Sequence, residues 1–231
     1  MKLKGKKVAI FVEQLYQDLE VWVPYYRLKE EGAECVLVGT GSAALYAGKY
    51  GYPAKVDAEA GALRPELYDG VVIPGGWAPD FLRRSAEVCR FVRAMDECKK
   101  IVASICHGGW VLVSAGMVRG RTLTSFIAIR DDLQNAGAKF VDRPLVRDHN
   151  LITSRAPDDL PAHETEDRFR VHCFAQVGGP RRGVIGTLAR TGGRGQGRRP
   201  PAAKRSRVTS RESRVGCWDR AARPGETLAA C

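Results

Sequence analysis

No two cysteines in the chain are spaced CxxC, and no group of cysteines and histidines has the spacing of metal ligands. That excludes a zinc framework and a dithiol redox pair, so neither a metal nor a cofactor is expected. No run approaches the ~18 apolar residues of a membrane span. The basic front, MKLKGKK, leads into an apolar stretch that meets Glu13 and Gln14 too early to be a signal-peptide core. With an odd number of cysteines, seven, and no export signal, a reducing cytoplasm is the expected location. Beyond residue 161 there is no tyrosine, one tryptophan (Trp218) and no interleaving of lysines with aromatics. Specific nucleic-acid recognition is therefore not expected, only salt-sensitive attraction.

That attraction would come from one end of the chain. The 231 residues carry a net charge of +11, but residues 162–231 hold 15 Lys+Arg against 6 Asp+Glu, leaving 22 basic and 20 acidic residues in 1–161. The first segment is nearly neutral and, in a chain that is 44% hydrophobic, rich enough in apolar side chains for one good-sized core. Gly178–Pro201, with PRRG and GGRGQGRRPP, buries too little to offset its ordering entropy, so 178–231 reads as a basic, disordered tail and 1–177 as the domain. His163–Val177 reads as a last helix, with Phe169, Cys173, Phe174 and Val177 on one side.

Short β-branched apolar runs mark buried strands at Lys7–Glu13, Glu34–Val38, Tyr68–Ile73 and Lys100–Ile105, with shorter ones near Thr122–Ser125, Phe140–Val141 and Leu151–Thr153. Helical character lies between them. Leu19–Glu31 has Pro24 in its first turns, where a missing N–H is tolerated, and Gly32 after its end. Ser85–Cys98 places Val88, Phe91, Val92 and Met95 at i, i+3, i+4 and i+7; Gly108–Ala115 and Ile129–Asn135 complete the set. Residues 39–67 show turns and short β pieces without a long period. Alternation of this kind predicts an α/β fold with a mostly parallel sheet covered on both faces.

The chemistry is concentrated in KIVASICHGGWVLVSAG, where a strand ends, Cys106 and His107 follow, and two glycines open a helix. A side chain on such a turn projects at the carboxyl edge of the sheet, where open α/β sheets place ligands. The helix N-terminus behind it favours a thiolate, and Gly108 and Gly109 allow close packing and leave room for a substrate. Cys35 within a strand, and Cys89 and Cys98 on a helix, read instead as packing cysteines. His107 need not face its neighbour's thiol; on a sharp turn its ring can point into a subunit interface.

The segment ASICHG, followed by LVSAGMVRGRTLTS, IRDDLQNAGAKFVD and LITSRAPDDLPA and preceded by VVIPGGWAPDFLR, resembles the PfpI family over residues 6–162. Members are described as intracellular cysteine peptidases and as glyoxalases or deglycases related to the Parkinson-associated deglycase. They share the flavodoxin-like three-layer sandwich of class I glutamine amidotransferases. The resemblance implies that Cys106 is the nucleophile, His107 the histidine after it, and Glu20 the acid that contacts its sulfur, donating a hydrogen bond when protonated. It implies further that Asp80 is an acid reaching the histidine of a neighbouring subunit in a homo-oligomer, and that Gly75 and Gly76 with His107 supply oxyanion N–H donors. Some features depart from the family. Gln17 stands where relatives often carry glutamate, Gly109 where a proline is common, and Phe126 where peptidase-like members carry tyrosine. The Arg/Gly-rich extension is also unlike those relatives; a reading-frame change near the 3′ end would produce such a composition.

The expected function is a cysteine-dependent enzyme that attacks reactive carbonyl compounds in the manner of a glyoxalase or deglycase. A Cys106–His107 peptidase completed by a neighbouring subunit is the alternative for the same site. A third class is a non-enzymatic redox sensor whose oxidised cysteine is held by Glu20. No second domain or glutamine-tunnel partner is visible, and no membrane partner is expected.

Overall fold

Consecutive residues of a strand point to opposite faces, so a strand buried at every position must be covered on both sides. The computed structural model, which describes residues 2–160, has several such strands. In chain order the elements are β1 (Lys7–Phe11), α1 (Asp18–Glu30), β2 (Glu34–Gly39), β3 (Leu45–Ala47), β4 (Pro53–Lys55), β5 (Ala58–Glu59), β6 (Gly70–Ile73), α2 (Ala78–Leu82) and α3 (Ala86–Glu97). They continue as β7 (Ile101–Ile105), α4 (Gly109–Ser114), β8 (Thr122–Leu123), α5 (Arg130–Asn135), β9 (Lys139–Phe140), β10 (Leu145–Asp148) and β11 (Leu151–Ser154). Every residue of β6, β7 and β11 is buried.

These strands form a seven-stranded sheet in the order β10-β11-β7-β6-β1-β2-β5, parallel throughout except for the antiparallel edge pair β10/β11. Its inner five strands have the flavodoxin-like order, so the expected α/β class holds. The strand order reverses between β1 and β6, which run parallel, and the loops leaving β1, β6 and β7 open onto the crevice at their carboxyl ends.

The helices follow their sequence patterns with one exception. Helix α3 starts at Ser85, whose hydroxyl accepts the Val88 N–H at 3.3 Å, and it buries Val88, Phe91, Val92 and Met95 as expected. Phe91 packs edge-on against Phe11 and Tyr68. Helix α1 differs in the placing of Pro24, which lies in the helix interior rather than its first turn. Its missing N–H removes the bond to the carbonyl of Glu20. The helix survives because its inner face (Val21, Pro24, Leu28) is buried.

Residues 39–67 hold the β3/β4 hairpin, the edge strand β5 and two single turns of 3₁₀ helix. Strand β10 was not anticipated, because its four residues mix Leu145 and Val146 with Arg147 and Asp148 and pair only at a sheet edge. The helix expected at His163–Val177 and the tail at 178–231 lie outside the described residues. Among those described, no helix is long and apolar enough to cross a membrane.

Candidate active site

Three loops leaving the sheet converge on Cys106. Strand β1 feeds residues 12–17 and the start of α1, β6 feeds Pro74-Gly75-Gly76, and β7 feeds Cys106 itself. The segment at 15–17 is stitched to the β6 loop by Gln17 N–H to Gly75 O (3.2 Å) and Trp77 N–H to Leu15 O (2.9 Å). The Gln17 side chain caps α1 by accepting the Leu19 N–H at 2.7 Å. The residue that replaces an expected acid thus serves the helix that carries Glu20.

Cys106 has φ +59°, in the left-handed region that costs an L side chain about 1–2 kcal/mol. The conformation is imposed by the turn from β7 into a 3₁₀ segment, Cys106–Gly108, that continues as α4. The Cys106 carbonyl accepts the Phe126 N–H at 3.2 Å, and the side chain lies against Ile105, Leu160 and Val23. Strain at a reactive side chain is held only where the surroundings determine it, as they do here.

Glu20 is fully buried, and its Oε2 accepts the Gly75 N–H at 2.6 Å. Its Oε1 is buried without a partner of full hydrogen-bond geometry, although the carboxyl and the Cys106 thiol act on each other. Burial pushes the Glu20 pKa up to about 7, against the opposing pull of Gly75, Cys106 and Lys49. The thiol of Cys106 is pushed up to about 12, first by burial and then by the charge of Glu20, while the N–H groups of His107 and Gly76 favour the thiolate.

Burial thus opposes the thiolate that the helix start was expected to favour, and helix α4 has only six residues. Cys35 is also pushed up to about 12, and Cys89 is raised, in both cases by burial first. What distinguishes Cys106 is its set of proton-handling neighbours.

His107 does face the thiol: its Nδ1 is 3.2 Å from Cys106 Sγ. The ring is stacked on Phe126 (centroids 5.0 Å apart, planes at 29°) and edge-on to Trp110. Burial, followed by the charge of Lys49, lowers its pKa, so the imidazole is neutral at neutral pH and able to take a proton.

The remaining expected residues divide. Gly76, at φ +74°, aims its N–H at the sulfur, in keeping with an oxyanion donor. The Gly75 N–H is occupied by Glu20, so its expected role as a free donor is corrected. A Cβ on Gly75 would lie 2.6 Å from Cys106 Cβ, so glycine is needed there for close approach. A Cβ on Gly108 would meet Ile73 O and Ser104 Oγ at 2.7 Å, so glycine there allows close packing. Asp80, on α2, forms an ion pair with Arg84 of its own chain. Sequence reasoning missed the clamp of Phe126 and Trp110 on His107; the aromatic replacement at 126 was its one visible signal.

The chain has relatives among known proteins. Residues 6–166 match the DJ-1/PfpI family. Deglycase PfpI of Pyrococcus furiosus is 42% identical over 156 residues, 68% of this chain and 93% of that protein. The chain belongs to the DJ-1/PfpI family. YraA of Bacillus subtilis, named as a candidate cysteine protease, is 37% identical over 162 residues, covering 70% of this chain and 96% of that protein. A two-domain protein of Anabaena variabilis with DJ-1/ThiJ/PfpI-like and ferritin-like domains is 45% identical, with a TM-score of 0.66. The match covers 67% of this chain and 46% of that one.

Proposed function

We propose that this DJ-1/PfpI member uses Cys106 to attack reactive carbonyl compounds, as a glyoxalase or deglycase does. The observation that carries the reading is the buried carboxyl of Glu20, with one oxygen unpartnered and a pKa raised to about 7, beside a thiol that also touches a neutral imidazole. With a 2-oxoaldehyde, His107 takes the thiol proton, the sulfur bonds to the aldehyde carbon, and the carbonyl oxygen is protonated to a hemithioacetal. Glu20 or His107 then moves the hydrogen on that carbon, as a proton, to the neighbouring carbon, while the hydroxyl proton of the hemithioacetal passes to the neighbouring oxygen. The resulting thioester is cleaved by water, giving a 2-hydroxycarboxylate and the free thiol. The N–H groups of Gly76 and His107, which act on the sulfur, are the donors assigned to the oxygen that gains charge. The names of the deglycase relatives support this reading, and a reducing cytoplasm, which keeps Cys106 a thiol, belongs to it.

The contact between Cys106 and His107 also suits a peptidase, with Asp80 lent to a neighbouring subunit of a homo-oligomer. Against it stand the engagement of Asp80 by Arg84 and the missing hydroxyl at Phe126. Turnover of methylglyoxal, glycated amines and a casein-type peptide by wild type and Cys106→Ala tests both. Activity lost with Cys106 on the first two substrates is expected; Cys106-dependent cleavage of the peptide alone would overturn the carbonyl reading. The reading confines catalysis to residues 1–177, so a chain ending after residue 178 keeps its turnover.

A further inference from the structure

Lys49, in the loop between β3 and β4, has a role that neither the fold nor the chemistry above requires. The segment at 15–17 lies between two others: Tyr16 bridges to Gly48 on one side and to Gly76 on the other. Lys49 N–H donates to Tyr16 O at 2.7 Å, and the next residue, Tyr50, donates its N–H to Asp18 Oδ2 at 3.0 Å. The backbone of Lys49 is therefore pinned across one segment from the glycine that faces the sulfur, while its side chain is exposed. Its ammonium acts electrostatically on both Glu20 and His107, the two groups flanking Cys106.

The charges around it leave that ammonium uncompensated. Lys49 has no carboxylate partner among the described residues; its Nζ lies over the Tyr50 ring, 5.5 Å from the centroid. Asp18 is buried and accepts the N–H groups of Tyr50 and Tyr52. Gln17 is neutral and spent on capping α1, and Asp80 is paired with Arg84.

We propose that Lys49 is a specificity-determining anion anchor at the mouth of the site, and that the carbonyl compounds accepted here carry a carboxylate or phosphate beside the reacting carbonyl. The proposal rests on Cys106 as the reacting group and deepens the carbonyl reading by naming the charge of the substrate. A cation at the rim of a low-dielectric cleft raises the local concentration of anions and binds the carboxylate product that a neutral 2-oxoaldehyde becomes.

The test uses iodoacetate and iodoacetamide, electrophiles of nearly the same size that differ by one negative charge. Their second-order rate constants at Cys106 are measured by mass spectrometry on the full chain. Any change in thiolate fraction affects both reagents alike and cancels in their ratio. In Lys49→Met the iodoacetate-to-iodoacetamide ratio falls roughly three- to tenfold at low salt, and in Lys49→Glu it falls further. The difference shrinks at about 1 M salt, and Lys55→Met, which removes a lysine that does not act on Glu20 or His107, leaves the ratio unchanged.

In turnover, Lys49→Met raises KM for the methylglyoxal adduct of N-acetylcysteine but not for that of its neutral amide, with kcat little changed. An equal alkylation ratio in wild type and Lys49→Met overturns the anchor even where carbonyl turnover is present. A ratio that depends on Lys49 in a protein without carbonyl turnover keeps the anchor and removes the carbonyl reading instead.

Discussion

Two turns at the same edge of the sheet solve the same geometric problem with different residues. After β6 the chain turns through Gly75 and Gly76, and after β7 through Cys106 and His107. Both follow strands buried at every residue, and both need a left-handed backbone, at Gly76 (φ +74°) and at Cys106 (φ +59°). The first turn uses the residue for which that conformation is free. The second uses a side chain that must bear strain, and the difference separates a turn that only supplies N–H donors from one that presents a nucleophile.

The largest expected effect tests that separation directly. Both Cys106→Ala and Cys106→Gly abolish turnover, a loss of at least about 10³-fold, because the bond-forming sulfur is gone. Their stabilities run opposite to the usual order: glycine, free of the left-handed penalty, exceeds alanine by about 1 kcal/mol in denaturant unfolding. An alanine variant as stable as the glycine one would remove strain from the account. At the other turn, Gly76→Ala places a Cβ against backbone, 2.6 Å from Gln17 N, at an unfavourable φ. It is expected to lose about 2–4 kcal/mol, measured by the same unfolding. A loss of less than about 1 kcal/mol would show that this turn is not rigid.

The second turn was legible in the sequence and most of its support was not. An apolar strand, one cysteine and paired glycines before an apolar run announce a nucleophile turn by local pattern alone, as Val88, Phe91, Val92 and Met95 announce the buried face of α3. Glu20 was reachable only through resemblance, because a glutamate in a first helical turn is ordinarily there for the helix dipole. What makes it a site residue is burial by loops far away in sequence, with Gly75 held 55 positions on. Lys49, and the stacking of Phe126 on His107, were invisible for the same reason: hairpin and loop residues carry no period that says where they return. The sequence also suggested a thiolate, since a helix start is visible in it and desolvation is not.

The Glu20 carboxyl gives the next test in size. Burial raises its pKa from 4.5 to about 7, so its contribution to folding is fully present below its ordinary value and lost as pH rises through about 7. Glu20→Gln has no such loss. Its stability relative to wild type should climb between about pH 5 and about pH 8, by at most about 3 kcal/mol. The same substitution removes the Glu20 charge, which after burial does most to raise Cys106, so the pH profile of Cys106 alkylation moves to lower pH. Parallel stability curves, or an unmoved alkylation profile, would show that Glu20 and Cys106 titrate independently.

The smallest expected effect belongs to Phe126, which touches neither sulfur nor substrate and acts through the ring it covers. Burial first, then Lys49, depresses the pKa of His107. Because the protonated imidazole is disfavoured in the fold, this contribution to stability is present above the ordinary value of 6.5 and lost as pH falls through the lowered one. Phe126→Ala opens one face of the ring to water and removes the stack at 5.0 Å. The His107 pKa then moves up toward its ordinary value, and the acid limb of kcat moves with it. A ring freed to turn also spends less time with Nδ1 toward Sγ, so kcat at neutral pH falls about three- to tenfold while KM changes little. Phe126→Tyr keeps the stacked face and should restore both the acid limb and kcat, which a merely destabilising substitution would not predict. NMR titration of the His107 ring, read beside the pH–rate profile, decides the matter. An acid limb identical in wild type and Phe126→Ala would mean that the first turn of α4, rather than the aromatic stack, holds the imidazole against Cys106.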